Sequence, residues 1–309
     1  MFNKIAKLLI TIVLSFGIQK HYPQIICNGK KIILTDDGRC NLNPYIMVFE
    51  DNFDGNSLDT SKWTPAKGVI RDFKHTIARQ WFTPNNIEVS DGTLKLITKR
   101  DTLINQCFYN GTTTACEDFY FTAAQIDSKE KFEHGMFEIS CKIAKGKGVA
   151  SSFWTYGAEM NEIDVFEFEN ENDVFNKFNA EKSPKVHNMN SHTDYDGDGH
   201  TEDCPSNYKG PDFSQSFHVF TLIWTPHKLE WYVDGQRKRL STLFYTMLGQ
   251  ATSCDELKTL NEYILNKAFP MNAMNIIVDN IIQSGNKSPD KKTAFPCYYE
   301  IDYIRYYRQ

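Results

Sequence analysis

No apolar run in this chain approaches the ~20 residues needed to span a bilayer. The longest, Leu8 to Leu14 and at most on to Ile18, follows Lys4 and Lys7 and precedes Ser15-Phe16-Gly17. A basic start, a short apolar stretch and small residues after it read as a signal peptide over residues 1–17, with an N-terminal extension over 18–44. Cys27 lies too far past the apolar run for a lipid anchor. The expectation is a secreted or periplasmic, extracellular protein with no membrane insertion after signal cleavage, and a monomer. Excess basic charge is also missing. With 34 Lys+Arg against 39 Asp+Glu and a net charge of -5, the chain is no general nucleic-acid binder, which needs a basic surface to neutralise phosphates. None of the eight cysteines forms a C-x-x-C pair, and export with an even count favours disulfides over zinc. Cys27 with Cys40 and Cys107 with Cys116 are candidate local loops, while Cys141 and Cys297 sit in strand-like runs as candidate buried thiols. There is no repeat, no low-complexity stretch and no Pro- or Ser-rich linker after about residue 45. Residues 45–309 therefore read as one domain. Its 41% hydrophobic and 24% charged residues exclude a disordered chain.

What is present is mostly period-2 alternation. In MFEISCKI, Phe137, Ile139, Cys141 and Ile143 share a face opposite Glu138, Ser140 and Lys142. Leu94 and Leu96 alternate with Lys95, and Leu229, Trp231 and Val233 lead to the hairpin pair Asp234-Gly235. YYEIDYIRYY closes the chain as a further strand. One stretch reads as a helix, from the capping pair Ser253 and Glu256 through Leu257, Leu260 and Ile264. Many short strands and one brief helix predict an all-β sandwich.

The run NEIDVFEF, Asn161 to Phe168, carries three carboxylates. Glu162 and Asp164 are two apart and face one side of a strand. Strict alternation puts Glu167 on the other side, and one extra residue, a β-bulge, brings it back. Crowded acids repel one another, and folding alone does not call for them. An acidic outer strand face would hold them, as would a hard metal site. So would a pair of carboxylates acting on a glycosidic bond. In retaining glycosidases that pair stands about 5–5.5 Å apart, close to the spacing of same-face neighbours on a strand. One acid must ionise and one must keep its proton, and repulsion assists that division.

These residues resemble the bulged E-[ILV]-D-x-x-E signature of glycoside hydrolase family 16, matched by Glu162, Asp164 and Glu167. The flanking blocks VFEDNFDGNSLDTSKW from Val48, IEVSDGTLKLITKR from Ile87 and KFEHGMFEISCKIAKGKGVASSFW from Lys131 are similar to the family's, in the same order. FHVFTLIWTPHKLEWYVDG from Phe217 and the terminal YYEIDYIRYY extend the resemblance over about residues 45–307. It implies a β-jelly-roll sandwich of two antiparallel sheets with a concave substrate groove. It also implies a retaining endo-β-glycanase needing no cofactor for catalysis. Glu162 would be the nucleophile, Glu167 the acid and then base, and Asp164 the residue that tunes the nucleophile. Retained acids argue against a non-catalytic glycan-binding relative. Transglycosylation shares the same intermediate.

The six-residue signature is the form of laminarinases, agarases and carrageenases, so the expected polysaccharide is β-1,3-glucan first and a β-galactan second. Trp154, Trp81 and Trp231 are candidate sugar-stacking rings, and Trp224 reads equally as core or groove floor. His187 is the candidate groove histidine, with His192 competing. The loop Asp194 to Gly199, DYDGDG, has the alternating acids of a calcium loop but Pro205 where its closing Glu would stand, and reads as a surface loop. The family resemblance implies a possible structural calcium at Asp302. Arg71, Lys74 and Arg79 are the basic residues a sulfated substrate would need. Two departures from the family fall beside the signature: Gly157-Ala158-Glu159-Met160 lacks a tryptophan, and Ser151-Ser152 replaces Pro-Ala.

Overall fold

Alternating apolar residues become the inner faces of two stacked sheets. The computed structural model describes residues 26–27, 30–31, 45–69, 80–109, 112–170, 184–247, 249–252, 263–283 and 287–309. The expected signal segment, Cys40, the basic trio Arg71, Lys74 and Arg79, and residues 253–262 of the expected helix lie outside them. Ile264, the last residue of that expected stripe, belongs instead to a two-residue strand, Ile264–Leu265, paired with Phe244–Tyr245.

The strands of the sandwich are β1 (Ile46–Asp51), β2 (Trp63–Pro65), β3 (Trp81–Phe82), β4 (Ile87–Ser90), β5 (Thr93–Tyr109), β6 (Thr114–Phe132), β7 (Gly135–Lys142), β8 (Val149–Gly157) and β9 (Glu162–Glu169). They continue with β10 (Val186–Thr193), β11 (Glu202–Asp203), β12 (Ser206–Lys209), β13 (His218–Trp224), β14 (Lys228–Val233), β15 (Gln236–Thr242), β16 (Met274–Ile282) and β17 (Cys297–Arg308). The front sheet runs β2–β6–β16–β8–β9–β10, with β11 and β12 along its edge on β10. The back sheet runs β4–β5–β17–β7–β13–β14–β15, and β1 lies on the second half of β17. All these pairs are antiparallel; β3, beside β6, is parallel. The architecture is the all-β jelly-roll sandwich expected from the sequence.

The core lies between the sheets. Leu94, Leu96, Phe137, Ile139, Cys141, Leu229, Trp231 and Val233 are all buried in one cluster with Phe153, Phe166 and Phe168 of the front sheet. Full burial of such a side chain is worth about 1.5–3 kcal/mol. In β17 the apolar face would lose its phase after Ile301. A register shift between Ile301 and Tyr303 makes Asp302 the extra residue, so Tyr299 and Ile301 before it and Ile304 and Tyr306 after it all point inward. Glu138, read as an outer-face residue, is buried all the same, because the Tyr303 hydroxyl donates to its carboxylate at 3.1 Å and roofs it. At the β14–β15 turn, Asp234 and Gly235 take φ of 49° and 76°, the left-handed pair a two-residue hairpin requires. β5 and β6 run on past the sandwich as a hairpin closed by a disulfide between Cys107 and Cys116, and Cys141 and Cys297 are buried free thiols. Among the described residues no helix is long and apolar enough to cross a membrane.

Candidate active site

The site stands on the outward face of the front sheet and is built by one irregularity in β9. On one flank Trp154 pairs with Asp164 and Phe153 with Phe166; on the other Asn190 pairs with Asp164 and Asn188 with Glu167. Both neighbours spend one residue fewer than β9 does, so Val165 is surplus. That bulge sends Ile163, Val165, Phe166 and Phe168 into the core and leaves Glu162, Asp164 and Glu167 together in front. The indole Nε1 of Trp231 fixes the bulge from beneath, donating to the Asp164 backbone carbonyl at 2.9 Å.

The three acids have different surroundings. Asp164 is 1% exposed; its Oδ2 meets His192 Nε2 at 3.1 Å, and its buried Oδ1 has no partner among the described residues. Glu167 keeps part of its surface open, but burial of its carboxyl, then the charges of Asp164 and Glu162, push its pKa well above the usual carboxylate range. Glu162 stands opposite His192 on one side and Tyr156 on the other. His192 also meets Asp203 through Nδ1. Burial opposes charge on its ring, yet the hydrogen bond and charge of Asp164, with Glu162 and Asp203, win and raise its pKa to about 9. The site thus contains a carboxyl that holds its proton more tightly than usual and an imidazolium that steadies the other carboxylates.

A fourth carboxylate completes the floor. Asp279 of β16, 4% exposed, pairs with Ser152, which pairs with Glu167, and accepts the Trp154 indole N–H at 3.0 Å. One ligand atom each from Glu162, Asp164 and His192 lies within 4.8 Å of the others, and both ring nitrogens of His192 face carboxylates, Asp164 on one side and Asp203 on the other.

The model of the family described as "Glycosyl hydrolases family 16" matches residues 76–305. The chain belongs to glycosyl hydrolase family 16. A relative from Niallia circulans, glucan endo-1,3-beta-glucosidase A1, is 23% identical over 89% of this chain and 39% of its own length. A beta-glucanase of Paenibacillus polymyxa is 32% identical over 60% of this chain and 66% of its own. The chain thus spans less than two thirds of either relative. The X-ray structure of an endo-beta-1,3-glucanase from Pyrococcus furiosus superposes with a TM-score of 0.65 at 22% identity, covering 92% of this chain and 97% of that one.

Within this family 16 site the secondary expectations divide. Trp154 is on the site face beside Asp164 but only 4% exposed, so it serves as floor more than as an open platform. Trp81, on β3, is partly exposed and meets Phe119 edge-on at 5.4 Å; it lies four strand steps from β9, about 19 Å at the usual spacing. Trp231 is not a stacking ring. It is 1% exposed, with Arg239 over its face at 4.3 Å, because its strand face points into the core. Trp224, fully buried, is likewise core. His187 is not a groove residue either. It is 1% exposed in a box formed by Phe168, Tyr208, Phe213 and Phe220, and burial drives its pKa down to about 3. His192 stands on the face of the three acids instead, opposite Glu162 and against Asp164.

Asp302 accepts from the Ser140 hydroxyl at 3.1 Å and belongs to neither group of three gathered acidic or imidazole ligands among the described residues. Asp194, Asp196 and Asp198 form the second such group, with Lys267 3.4 Å from Asp196. The sequence reading missed Asp203 and Asp279. The second had a visible signal: a single acid inside the apolar run MNIIVDNII.

Proposed function

We propose that the protein is an exported, retaining endo-β-glycanase that hydrolyses β-1,3-glucan. The observation that carries this is the Val165 bulge, which collects Glu162, Asp164 and Glu167 on one sheet face, with burial and the neighbouring charges raising the pKa of Glu167. Glu162 attacks the anomeric carbon as Glu167 gives its proton to the departing oxygen, so the sugar–oxygen bond breaks while a glycosyl–carboxylate bond forms. Glu167, now ionised, takes a proton from water, which displaces Glu162 and completes net retention. Asp164, held by His192, keeps its charge close to the developing positive charge of the sugar. The substrate choice rests on the relatives named for β-1,3-glucan and β-glucan.

The test is a panel of laminarin, mixed-linkage glucan, agarose, porphyran and carrageenan, with NMR of the first product. Laminarin cleaved fastest, with the β-anomer released first, supports the reading. Turnover of a galactan alone overturns the substrate, and an inverted product overturns the mechanism.

A further inference from the structure

We propose that a cavity at one end of the sandwich is a second binding site, for an acidic oligosaccharide, apart from the site of the three carboxylates. The cavity opens where the ends of β7 and β17 in the back sheet meet the turn into β8 and the end of β9 in the front sheet. Glu162, Asp164 and Glu167 do not border it. Its volume of about 890 Å³ lies within the ~300–1,000 Å³ of ordinary ligand sites and admits a few sugar rings. Its charge favours an anion. Lys142, Lys145, Lys147 and Lys292 line it against Asp212, Asp290 and Glu300. Lys142 is paired with Glu300, and Lys147 lies 3.7 Å from Asp290. Lys145 and Lys292 are both exposed and form no ion pair among the described residues. Their ammonium groups are the ones left for a ligand, and a uronate or a sulfate ester supplies the counter-charge that a neutral glucan lacks.

The inner wall calls for a hydroxyl donor. Asn170, which follows β9 and borders the cavity, is 1% exposed. Its Nδ2 donates to the Ala144 carbonyl at 3.0 Å, while its buried Oδ1 has no partner among the described residues. A buried acceptor left unpaired is costly, and a sugar hydroxyl is a donor that satisfies it. The mouth is fixed before any ligand arrives. The turn Lys145-Gly146-Lys147-Gly148 is pressed against residues 288–297. A Cβ at Gly146 would meet the Cys297 Sγ at 3.2 Å, and one at Gly148 would overlap the backbone of Pro289. Their φ of 143° and 77° likewise favour glycine. The Thr293 hydroxyl donates to the Lys147 carbonyl at 3.0 Å, and the Gly148 N–H donates to the Asn170 carbonyl at 2.9 Å, which ties the turn to the inner wall. A site whose backbone is already set loses little entropy when it binds.

Calorimetric titration into the full chain tests the site, with trigalacturonate, a sulfated carrageenan tetrasaccharide and inorganic sulfate as separate probes. At least one of the two oligosaccharides should bind, and the tighter of them identifies the charged group as carboxylate or sulfate ester. Lys145→Gln combined with Lys292→Gln should weaken that binding about tenfold, or about 1.4 kcal/mol; both side chains are exposed, so the fold is kept. Glu162→Gln should change it less than about twofold, because Glu162 belongs to the other site. Inorganic sulfate should bind at least about tenfold more weakly than the oligosaccharide, since it spans neither the cavity nor the distance to Asn170. Binding of neither oligosaccharide, an unchanged affinity in the double lysine variant, a larger change in Glu162→Gln, or equal binding of sulfate overturns the proposal. The readout is binding and not turnover, so a wrong substrate in the functional reading is told apart from a failed second site.

Discussion

Asp164 and His192 meet across β9 and β10 with 3.1 Å between Oδ2 and Nε2, and Asp203 holds the far nitrogen of the same ring. The imidazolium so held has a pKa of about 9 against an ordinary 6.5. A raised pKa contributes stability that is complete below pH 6.5 and is lost as pH climbs through 9. Thermal melts from pH 6 to 10 should show the wild type losing stability over that window. In Asp203→Asn the decline should be shallower and centred at lower pH. Equal slopes would show that the chain of three groups does not act as a unit.

Glu167, the proposed proton donor, can act in that role only while protonated. Burial and the charges of Asp164 and Glu162 raise its pKa, extending the active form toward higher pH. Asp164→Asn removes one repelling charge, so the alkaline limb of kcat/KM should move to lower pH. Glu167→Gln should cost roughly 10²–10⁴ in kcat/KM on a polysaccharide, the usual worth of a general acid. Reducing-sugar assays across pH check both.

His187 makes the opposite statement about charge. Both its ring nitrogens are buried without a partner among the described residues, and its pKa is pushed down to about 3. The unfolded chain takes up this proton near pH 6.5 and the folded one does not, so folding stability should fall as pH drops from 6.5 toward 3. The limiting slope is about 1.4 kcal/mol per pH unit. His187→Phe should flatten that acid limb and add roughly 1–2 kcal/mol at pH 7 by removing unsatisfied polar atoms. Urea titrations at pH 4 and pH 7 measure the difference.

Arg239 reaches from the back sheet to the front. It donates to the carbonyls of Met189 and Cys204 and lies over Trp231, whose indole holds the Asp164 backbone. Arg239→Met should cost about 2–4 kcal/mol through the carbonyls left unpaired. It should also lower kcat more than it raises KM, since Asp203 adjoins Cys204. Denaturant unfolding and steady-state kinetics on one preparation test the two effects together.

The strand faces were legible in the sequence wherever alternation was unbroken, as in Phe137, Ile139 and Cys141 or Leu229, Trp231 and Val233. The bulge in β9 was legible too, because three acids at that spacing share a face in no other way. What failed was parity in β10. His187 and His192 are five apart, so they point to opposite sides of one strand. The choice was set by Met189, buried on the His187 side, and by Asn188 and Asn190, which share the His192 face and pair with the acids. Trp231 was misread from the same kind of evidence it displayed: a face shared with Leu229 and Val233 is a core face. Asp203 and Asp279 lie on strands other than that of the three acids, and only the pairing of β11 with β10 and of β16 with β8 brings them to the site.

Val165 is the surplus residue in β9, and its position gives the strand an asymmetric tolerance to length. Removing it restores unbroken pairing with both neighbours, and Glu167 then falls in step with Glu162 and Asp164 by plain alternation. Adding a residue there turns Glu167 inward and drives its aromatic neighbours out into water. A single-codon deletion at this point is therefore survivable for the catalytic face, at the expense of one buried valine, whereas a single-codon insertion is not.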